Sequence, residues 1–454
     1  MKKTVLIGLW FLASTVVAQE KPNSTILTFK DAVKIGLDNN LNLNQQKNQL
    51  TATKVTKSAG LLSFGPSVNV NGNAGRNDGN SFNQQQGRVI NGVLDFVNTS
   101  IDANMPLFQG LNVLNSYRAS SSAYEAQLHF VQRSSQDVIR DVSRQFLTVL
   151  LDQRLVFINE RNVETQLQQY NQIKEFVNAG TRAEVDLKNQ EFQLKNAELL
   201  LVRAKNTLRN DKAILAQTLQ LDPTLPFDLQ EPDWTFDKME ININDLYATA
   251  GERRSDLKRA EELEKSAQYT FSASKSAYFP NLSLFASYGS AYNYVYRTEN
   301  MTPEQYPSNR GFKDQFTEDN TQLTYGVSFR IPIYNAFQNR SNIIRSKMAY
   351  ENSKLQKENT EIIVKSEVML AHQNLQDAKA AFEAASSQLE AAETSNALEK
   401  ERYALGISDI VALTQSNQIL TRAQSDFESA RYTLMFQDLL INYAVGTLNF
   451  DDIP

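Results

Sequence analysis

The side chains that most often carry out catalysis or bind metals are scarce in this chain. Its 454 residues include no cysteine, which excludes thiol nucleophiles, disulfides and a lipid-modified N-terminal cysteine. The two histidines, His129 and His372, lie in long helical patterns, and neither is followed four residues later by a second metal ligand. We therefore interpret both as helix-surface residues and expect no metal centre or histidine base at either.

Carboxylates remain as candidate ligands or acid–base groups. Asp314, Glu318 and Asp319 are clustered in a polar segment that is able to attract a divalent ion, although a solvated loop is the simpler interpretation. The sequence contains neither the G-x-S-x-G motif of hydrolases nor a glycine-rich phosphate-binding loop. We predict a protein that is not an enzyme and that needs no cofactor.

Two copies of one pattern organise the rest of the chain. Residues 179–187 and 405–413 each place a glycine before a long helical pattern, and they lie 226 residues apart. After each glycine, large apolar residues recur every seven positions, at Leu187, Leu194, Leu201, Leu208 and Leu215 and at Leu413, Leu420, Phe427, Leu434 and Ile441. Small residues share the seam at Ala197, Ala204, Ala423 and Ala430. One such segment fits an ordinary amphipathic helix, but two in one register predict coiled-coil packing and an internal duplication.

The N-terminus has the form of a secretory signal peptide. Lys2 and Lys3 precede an apolar run, and Ala18 ends a small-residue cleavage site, so we predict a signal peptide at residues 1–18. The apolar run is shorter than the ~20 residues that a membrane-spanning helix needs, and no later stretch resembles one. The formal net charge of −5 argues against nucleic acid as a partner.

The rest of the chain divides into two repeats. We predict the first over residues 19–222 and the second over 243–454, with a proline-punctuated connector at 223–242. Each repeat begins with short helices and ends with a long helical hairpin, at about 111–221 and 336–446. Residues 111–177 contain neither proline nor glycine, which allows a helix of about 100 Å at 1.5 Å per residue. A helix of that length must be part of a coiled coil or a bundle.

Each repeat also contains two predicted strands, within residues 66–106 and 280–334. They flank polar segments, at 75–92 and 297–320, that we predict to be loops. Apolar and polar residues alternate along these strands, and one example has Val97, Thr99, Ile101, Ala103 and Met105 on one face and Asn98, Ser100, Asp102 and Asn104 on the other. Such strands have one apolar and one solvated face.

Four strands per chain are too few to close a barrel. Open strand edges cannot lie in lipid, so strands that cross a membrane must be shared between several chains. Three chains give twelve strands, an even number within the bacterial range. Arg330 falls on the polar face of its strand, which favours the lumen of such a barrel over the lipid.

The chain resembles the TolC family of outer-membrane efflux and secretion channels. The resemblance covers essentially all of the mature chain, and it rests on the opening segment 27–41, the element Glu252-Arg253-Arg254-Ser255-Asp256-Leu257, the proline-ended strands and the glycine turns. It implies an α+β membrane protein in which long antiparallel α-helical hairpins form a trimeric periplasmic helical barrel. Four β-strands per chain would contribute to a shared 12-stranded transmembrane β-barrel.

The resemblance also implies that the two glycine turns form the periplasmic tip, where a periplasmic adaptor protein binds. The residues assigned to the tip aperture and to adaptor contact are Gly180, Thr181, Arg182, Glu184, Asp186, Tyr403, Gly406, Ser408, Asp409 and Gln415. Asp186 matches the family's acidic residue of the first hairpin, and Tyr403 matches its tyrosine partner. The pair is a candidate latch, although a solvated Asp186 favoured by the helix dipole is the alternative.

Three tip positions depart from the family's pattern. Ser408 stands where the family has an arginine, and Ala412 and Gln415 stand where it has paired aspartates. An aspartate ring at these positions is therefore in doubt. Arg182, Glu184, Asp186 and Asp409 are the alternative charges, and a carboxylate repeated by threefold symmetry would attract cations.

Two classes of function follow from these observations. The first is a passive exit duct in the outer membrane, extending into the periplasm and fed by an adaptor and an inner-membrane transporter of RND or ABC type. The second is a periplasmic coiled-coil adaptor that never enters the membrane, which does not account for two hairpins and four alternating strands. The choice between drug efflux and protein secretion stays open.

Overall fold

A computed structural model describes residues 25–83, 87–224, 226–234, 242–296 and 309–453. The predicted signal peptide at 1–18 lies outside these residues, as do parts of the predicted polar segments. The helices are α1 (Phe29–Asn39), α2 (Leu41–Leu62), α3 (Asn112–Asn178), α4 (Glu184–Thr218), α5 (Ile243–Arg253), α6 (Ser255–Lys275), the single turn α7 (Phe312–Asp314), α8 (Gln338–Ala404) and α9 (Ile410–Val445). No helix in the described part of the chain is long and apolar enough to cross a membrane.

The strands form two sheets. A long sheet has the order β2 (Ser67–Asn83), β3 (Arg88–Gln109), β5 (Asn281–Val295) and β6 (Gln322–Arg330), with antiparallel neighbours throughout. A short parallel pair joins β1 (Thr25–Leu27) to β4 (Phe227–Leu229). The central β3–β5 contact joins the last strand of the first repeat to the first strand of the second. Strands β2 and β6 are left as open edges.

The predicted helices are confirmed closely. Helix α1 begins after Thr28, whose side chain accepts a hydrogen bond from the backbone N–H of Asp31 at 3.1 Å, as expected for an N-cap. Helices α3 and α8 each contain 67 residues, about 100 Å at 1.5 Å per residue. In the seam, Leu194, Ala197, Leu413 and Ala423 are buried. Each hairpin is therefore an antiparallel pair, α3 with α4 and α8 with α9.

The duplication is also visible in the backbone where strands turn into the long helices. Gly110 and Leu111 precede α3 with φ values of 58° and 66°, and Ala336 and Phe337 precede α8 with 52° and 61°. Three of these four residues are not glycine, so both corners hold a costly left-handed conformation. The same corner occurs at the same place in both repeats, which supports a common structural origin.

Several sequence predictions are wrong in detail. The loop predicted at 75–92 is largely strand, because β2 and β3 pair from Ser67↔Asn104 to Asn83↔Arg88. The segment predicted as a loop at 297–320 contains α7 and a π-helical turn, Gln315–Asp319. Helix α4 ends at Thr218 rather than near 221. The count of four strands omitted β1 and β4, which are too short to show alternation.

Two apolar clusters hold the helices together. The larger joins α1, α3, α4, α9 and the β1–β4 pair, and its most buried large side chains include Phe29, Phe146 and Leu215. The smaller joins α5, α8 and α9 around Val368 and Ile441. The long sheet contributes to neither cluster, and the buried apolar pair among its described residues is Leu94 with Val295. The helices therefore have a core of their own.

Candidate functional site

The two hairpin tips have matching geometry. Gly180 and Gly406 adopt φ values of 74° and 71°, the left-handed conformation that ends a helix at a tight turn. The side chain of Thr181 donates a hydrogen bond to the carbonyl of Phe176 at 2.9 Å. Asp409 caps α9 by accepting a hydrogen bond from the backbone N–H of Ala412 at 2.8 Å. The predicted glycine turns are confirmed as turns.

The other predicted tip residues surround these turns. Arg182, Glu184 and Gln415 are exposed, whereas Asp186, Tyr403 and Ser408 are half-buried. Ser408 donates a hydrogen bond to Glu399, which also forms an ion pair with Arg402 at 3.1 Å. Among the described residues of one chain, no hydrogen bond joins the side chains of Asp186 and Tyr403. The latch therefore stays a prediction.

Exposed apolar side chains lie next to both turns. Val185 and Val411 occupy equivalent positions in the two repeats and are 62% and 68% exposed. Leu405 and Ile407 flank Gly406 and are exposed as well. Apolar side chains at an otherwise polar helix tip are typical of a surface that binds another protein.

Buried polar residues inside each hairpin were missed by the sequence analysis. Between α3 and α4, the side-chain amide of Gln190 donates hydrogen bonds to Gln166 at 2.8 Å and to Gln169 at 3.5 Å. Between α8 and α9, Asn396 donates to Asn417 at 2.8 Å. Buried polar pairs in a coiled coil lower stability but specify one register. Both hairpins thus have a register-setting polar layer about the same distance from the tip.

A hydrogen bond also joins the two hairpins. The amide of Gln418 on α9 donates to the side chain of Gln193 on α4 at 3.0 Å. These residues lie in nearly equivalent positions of the two repeats. The contact is exposed, so it fixes the relative position of the hairpins weakly.

The long sheet has one polar and one apolar face. On the polar face, Asp102 accepts hydrogen bonds from Asn71 at 2.7 Å, Ser100 at 2.7 Å and Ser287 at 2.5 Å, which links three strands. The apolar face carries Val70, Ile101, Tyr288 and Leu323 in one row of the strand register. The alternation predicted from the sequence is confirmed, and it suits a sheet between lipid and water.

An apolar stripe on α8 is exposed to solvent in the described part of the chain. Met348, Leu355, Ile362 and Met369 recur every seven residues, and their exposed fractions lie between 41% and 67%. Further along the same helix, Leu375 is 3% exposed because it packs on α9. A coiled-coil stripe of this length that faces solvent indicates a missing helical partner.

Comparison with known proteins identifies the family. The family model described as outer membrane efflux protein matches residues 33–219 and 246–437. The chain belongs to this family. The protein is located in the outer membrane and extends into the periplasm.

Individual relatives are distant in sequence but close in fold. The outer membrane protein TolC of Salmonella enteritidis is 23% identical over 324 residues, covering 71% of this chain and 63% of that protein. TolC of Escherichia coli strain K12 is 24% identical over 359 residues, covering 77% and 70%. The matched part therefore spans less than two thirds of the Salmonella protein. The crystal structure of the Campylobacter jejuni CmeC outer membrane channel has a TM-score of 0.78 at 15% identity, covering 98% of this chain and 94% of that one.

A buried ionic network lies where the efflux protein's two repeats meet. Arg254, in the element between α5 and α6, is 1% exposed. Its guanidinium donates hydrogen bonds to Asp256 at 2.5 and 2.8 Å, to Glu367 at 2.6 Å and to the carbonyl of Ala444 at 2.9 Å. The neighbouring Arg133 stacks on the ring of Tyr443 at 3.8 Å. The network joins α3, α6, α8 and α9, and sequence reasoning singled out only the motif, not these contacts.

A second pair of charges lies in the first hairpin. Asp152 on α3 is 7% exposed, and its Oδ2 atom has no hydrogen-bond partner among the residues that the structure describes. Burial raises the pKa of Asp152 to about 7, with a further contribution from hydrogen bonding to and repulsion by Asp211 on α4. The nearby cations do not neutralise it, since Lys212 pairs with Asp228 and Arg154 with Glu231. A carboxylic acid whose pKa is raised by folding destabilises the folded state at pH values at which it is ionised.

We expect Asp152→Asn to stabilise the protein above pH 7. The pKa of Asp152 is raised in the folded state from an unfolded value near 3.8. The protein therefore has its full free energy of unfolding below about pH 4, where Asp152 is protonated in both states, and loses part of it as pH rises through about 7. The variant should remove that loss, raising the free energy of unfolding by about 1–3 kcal/mol at pH 8 and leaving it nearly unchanged at pH 4.

Helix melting followed by circular dichroism between pH 4 and pH 8 measures this difference. Asp211→Asn should shift stability in the same direction, since it removes the repelling charge. Glu164→Gln, an exposed carboxylate on the same helix, is the matched control and should follow the wild type. An Asp152→Asn profile parallel to the wild-type profile would contradict the assignment.

Proposed function

We propose that this efflux protein is a trimeric exit duct that carries small molecules or secreted substrates out of the periplasm without a power source of its own. The observation that supports it best is the pair of open strand edges, β2 and β6, on a sheet with one apolar face. Open edges are not stable in lipid, so each must pair with another strand. Three chains that pair β6 of one with β2 of the next close a twelve-stranded barrel.

The internal duplication predicts how the edges pair. Within one chain, Ile101 on β3 lies opposite Tyr288 on β5. Along the sequence, Val327 on β6 precedes Pro332 by as many residues as Ile101 precedes Pro106. Likewise, Ala74 on β2 follows Pro66 by as many residues as Tyr288 follows Pro280. We therefore place Val327 opposite Ala74 of the neighbouring chain. Both residues lie on the apolar face, so the transferred register keeps lipid-facing residues together.

Cysteine cross-linking tests this register, since the wild-type chain has no cysteine of its own. A chain carrying Ala74→Cys and Val327→Cys should form disulfide-linked dimers and trimers in outer-membrane fractions, because opposite residues have Cβ atoms about 5 Å apart. The matched control combines Ala74→Cys with Ser328→Cys, whose side chain lies on the other face. Native mass in mild detergent supplies an independent count of chains. A monomer that forms no cross-link would contradict the shared barrel and favour the adaptor class.

We propose that the long helices of three chains also pack side by side into a closed barrel. The exposed α8 stripe from Met348 to Met369 would pack on a helix of a neighbouring chain and so continue the barrel into the periplasm. At its end, Val185 and Val411 would contact an adaptor protein that connects the duct to an inner-membrane transporter of RND or ABC type. Relatives named as efflux pump outer membrane proteins support this arrangement.

The tip is proposed to be held closed by polar contacts that include Asp186 and Tyr403. If these residues form a latch between hairpins, Asp186→Ala or Tyr403→Phe should raise the open fraction of the isolated channel. Single-channel recording and antibiotic leakage into cells measure the effect. Tyr170→Phe, on α3 away from the turn, is the control. Wild-type conductance and leakage in both tip variants would reject the latch.

A further inference from the structure

A polar cleft lies where the sheet meets the helices, at the opposite end of the hairpins from the tip. It has a volume of about 780 Å³ and is bounded by the ends of β3, β5 and β6, the end of α6 and the starts of α3 and α8. Five amide and four hydroxyl side chains line it, together with one charged residue, Arg330. Among the described residues that line the cleft there is no carboxylate.

Arg330 is placed in this cleft by strand register. Asn281 on β5 lies opposite Gln109 on β3 and opposite Arg330 on β6, so the three side chains form one row across the sheet. Ser283 and Ser328 form the next polar row. The guanidinium is exposed, and the described part of the chain shows no ion pair to it. The row therefore presents a cation flanked by neutral hydrogen-bonding groups.

The helix ends that complete the cleft are held by hydrogen bonds of their own. The Asn112 amide donates to the carbonyl of Ala273 at 3.2 Å and to the side chain of Ser276 at 3.0 Å. The Asn339 amide donates to the carbonyl of Ala277 at 2.9 Å. These contacts fix the corner between α6 and the two long helices, so the cleft is preorganised around Arg330.

We infer that this cleft binds anionic groups, the phosphates or carboxylates of molecules passing through the duct. An arginine surrounded by neutral amides and hydroxyls offers charge-assisted hydrogen bonds to an oxyanion without a competing carboxylate. The inference rests on the proposed trimeric pore, in which the polar face of the sheet lines the lumen and three copies of Arg330 form a ring. Rings of arginine favour anions in pores.

One carboxylate on the same polar face, Asp102, is a competitor for Arg330. In the proposed trimer, the duplicated register sets Arg330 opposite Asn71 of the neighbouring chain, and Asn71 already donates to Asp102 at 2.7 Å. That carboxylate accepts two further hydrogen bonds, from Ser100 and Ser287. Because Asp102 is held by three neutral donors, Arg330 is left available to an external anion.

Block of single channels by pyrophosphate tests the inference in the full-length protein. Pyrophosphate added on the barrel side should block the wild-type channel, and Arg330→Gln should weaken the apparent affinity about tenfold or more. Arg330→Lys should retain most of the block, since it keeps the charge. Arg340→Gln is the matched control, because Arg340 is also an exposed cation of this region but does not line the cleft.

Each other outcome overturns the inference. Equal block in wild type and Arg330→Gln would show that the cleft does not bind the anion, and an equal loss in Arg340→Gln would show a general effect of positive charge. Block that appears only in Asp102→Asn would show that Arg330 is paired with that carboxylate. A wild-type chain that forms no conducting pore would instead reject the proposed duct, and the anion site with it.

Discussion

Deleting both strand pairs is expected to abolish conduction while leaving the helices folded. The two apolar clusters that hold the helices contain no residue of the long sheet, so their packing does not depend on it. In the proposed duct the sheet is the part that faces lipid, and this deletion removes it. We expect complete loss of pore formation and a water-soluble helical protein.

The strand register indicates suitable end points for the two deletions. Asn281 lies directly opposite Arg330, and Ser67 lies opposite Asn104, so the ends left by removing 67–104 and 281–330 are close together. A short glycine–serine linker is enough at each site. Planar-bilayer conductance, membrane fractionation and circular dichroism follow the result, with the full-length chain prepared in parallel. Ion conduction by the doubly deleted protein would mean that the strands do not form the pore.

The long helices and their turns were predictable because their signals are local. A run from 111 to 177 without proline or glycine, and a seven-residue apolar spacing, are readable without knowing the partner helix. The turns at Gly180 and Gly406 follow from the conformational freedom of one residue type. Duplication added a second, independent copy of each signal.

The outer halves of the strands were not predictable from alternation. Residues 75–92 are rich in glycine, asparagine and glutamine, a composition that is typical of loops. Strand pairing uses backbone groups, so a hairpin that is solvated on both faces needs no apolar face. The pattern that reveals a strand is present only where one face meets an apolar environment.

Contacts between segments that are far apart in the sequence could not be predicted from the sequence either. Arg254 and the carbonyl of Ala444 are 190 residues apart, and Gln190 meets Gln166 only once the hairpin has formed. An arginine or a glutamine in a helical pattern reads as a solvated residue, because its burial depends on what the other repeat provides. Such residues are recognised only from the folded arrangement.

Arg254 is therefore where we expect the largest effect of a single substitution. Arg254→Met removes a buried cation and leaves Asp256 and Glu367 without their main partner. Breaking a buried ion pair by removing one member destabilises proteins by about 3–5 kcal/mol. We expect a loss near the lower end of that range, about 3 kcal/mol, because Asp256 and Glu367 keep 27% and 44% of their side chains exposed. Arg254→Lys should be intermediate, because an ammonium cannot reproduce the bidentate contact with Asp256.

The adjacent arginine provides a matched control. Arg253 is exposed, so Arg253→Met changes the same charge one residue away and should alter the free energy of unfolding by less than about 0.5 kcal/mol. Thermal and denaturant unfolding, followed by helix content, compare the two variants. Adding Asp256→Asn and Glu367→Gln to Arg254→Met should recover part of the loss, because it removes the unpaired charges.

The pattern of recovery separates two roles for the network. If Arg254 acts only by neutralising carboxylates, the triple variant should regain most of the lost stability. If its hydrogen bond to Ala444 also positions the end of α9, the triple variant should stay less stable than the wild type, because that carbonyl remains without its donor. Equal unfolding free energies for Arg254→Met and Arg253→Met would contradict both, and the junction between the repeats would then depend on apolar packing alone.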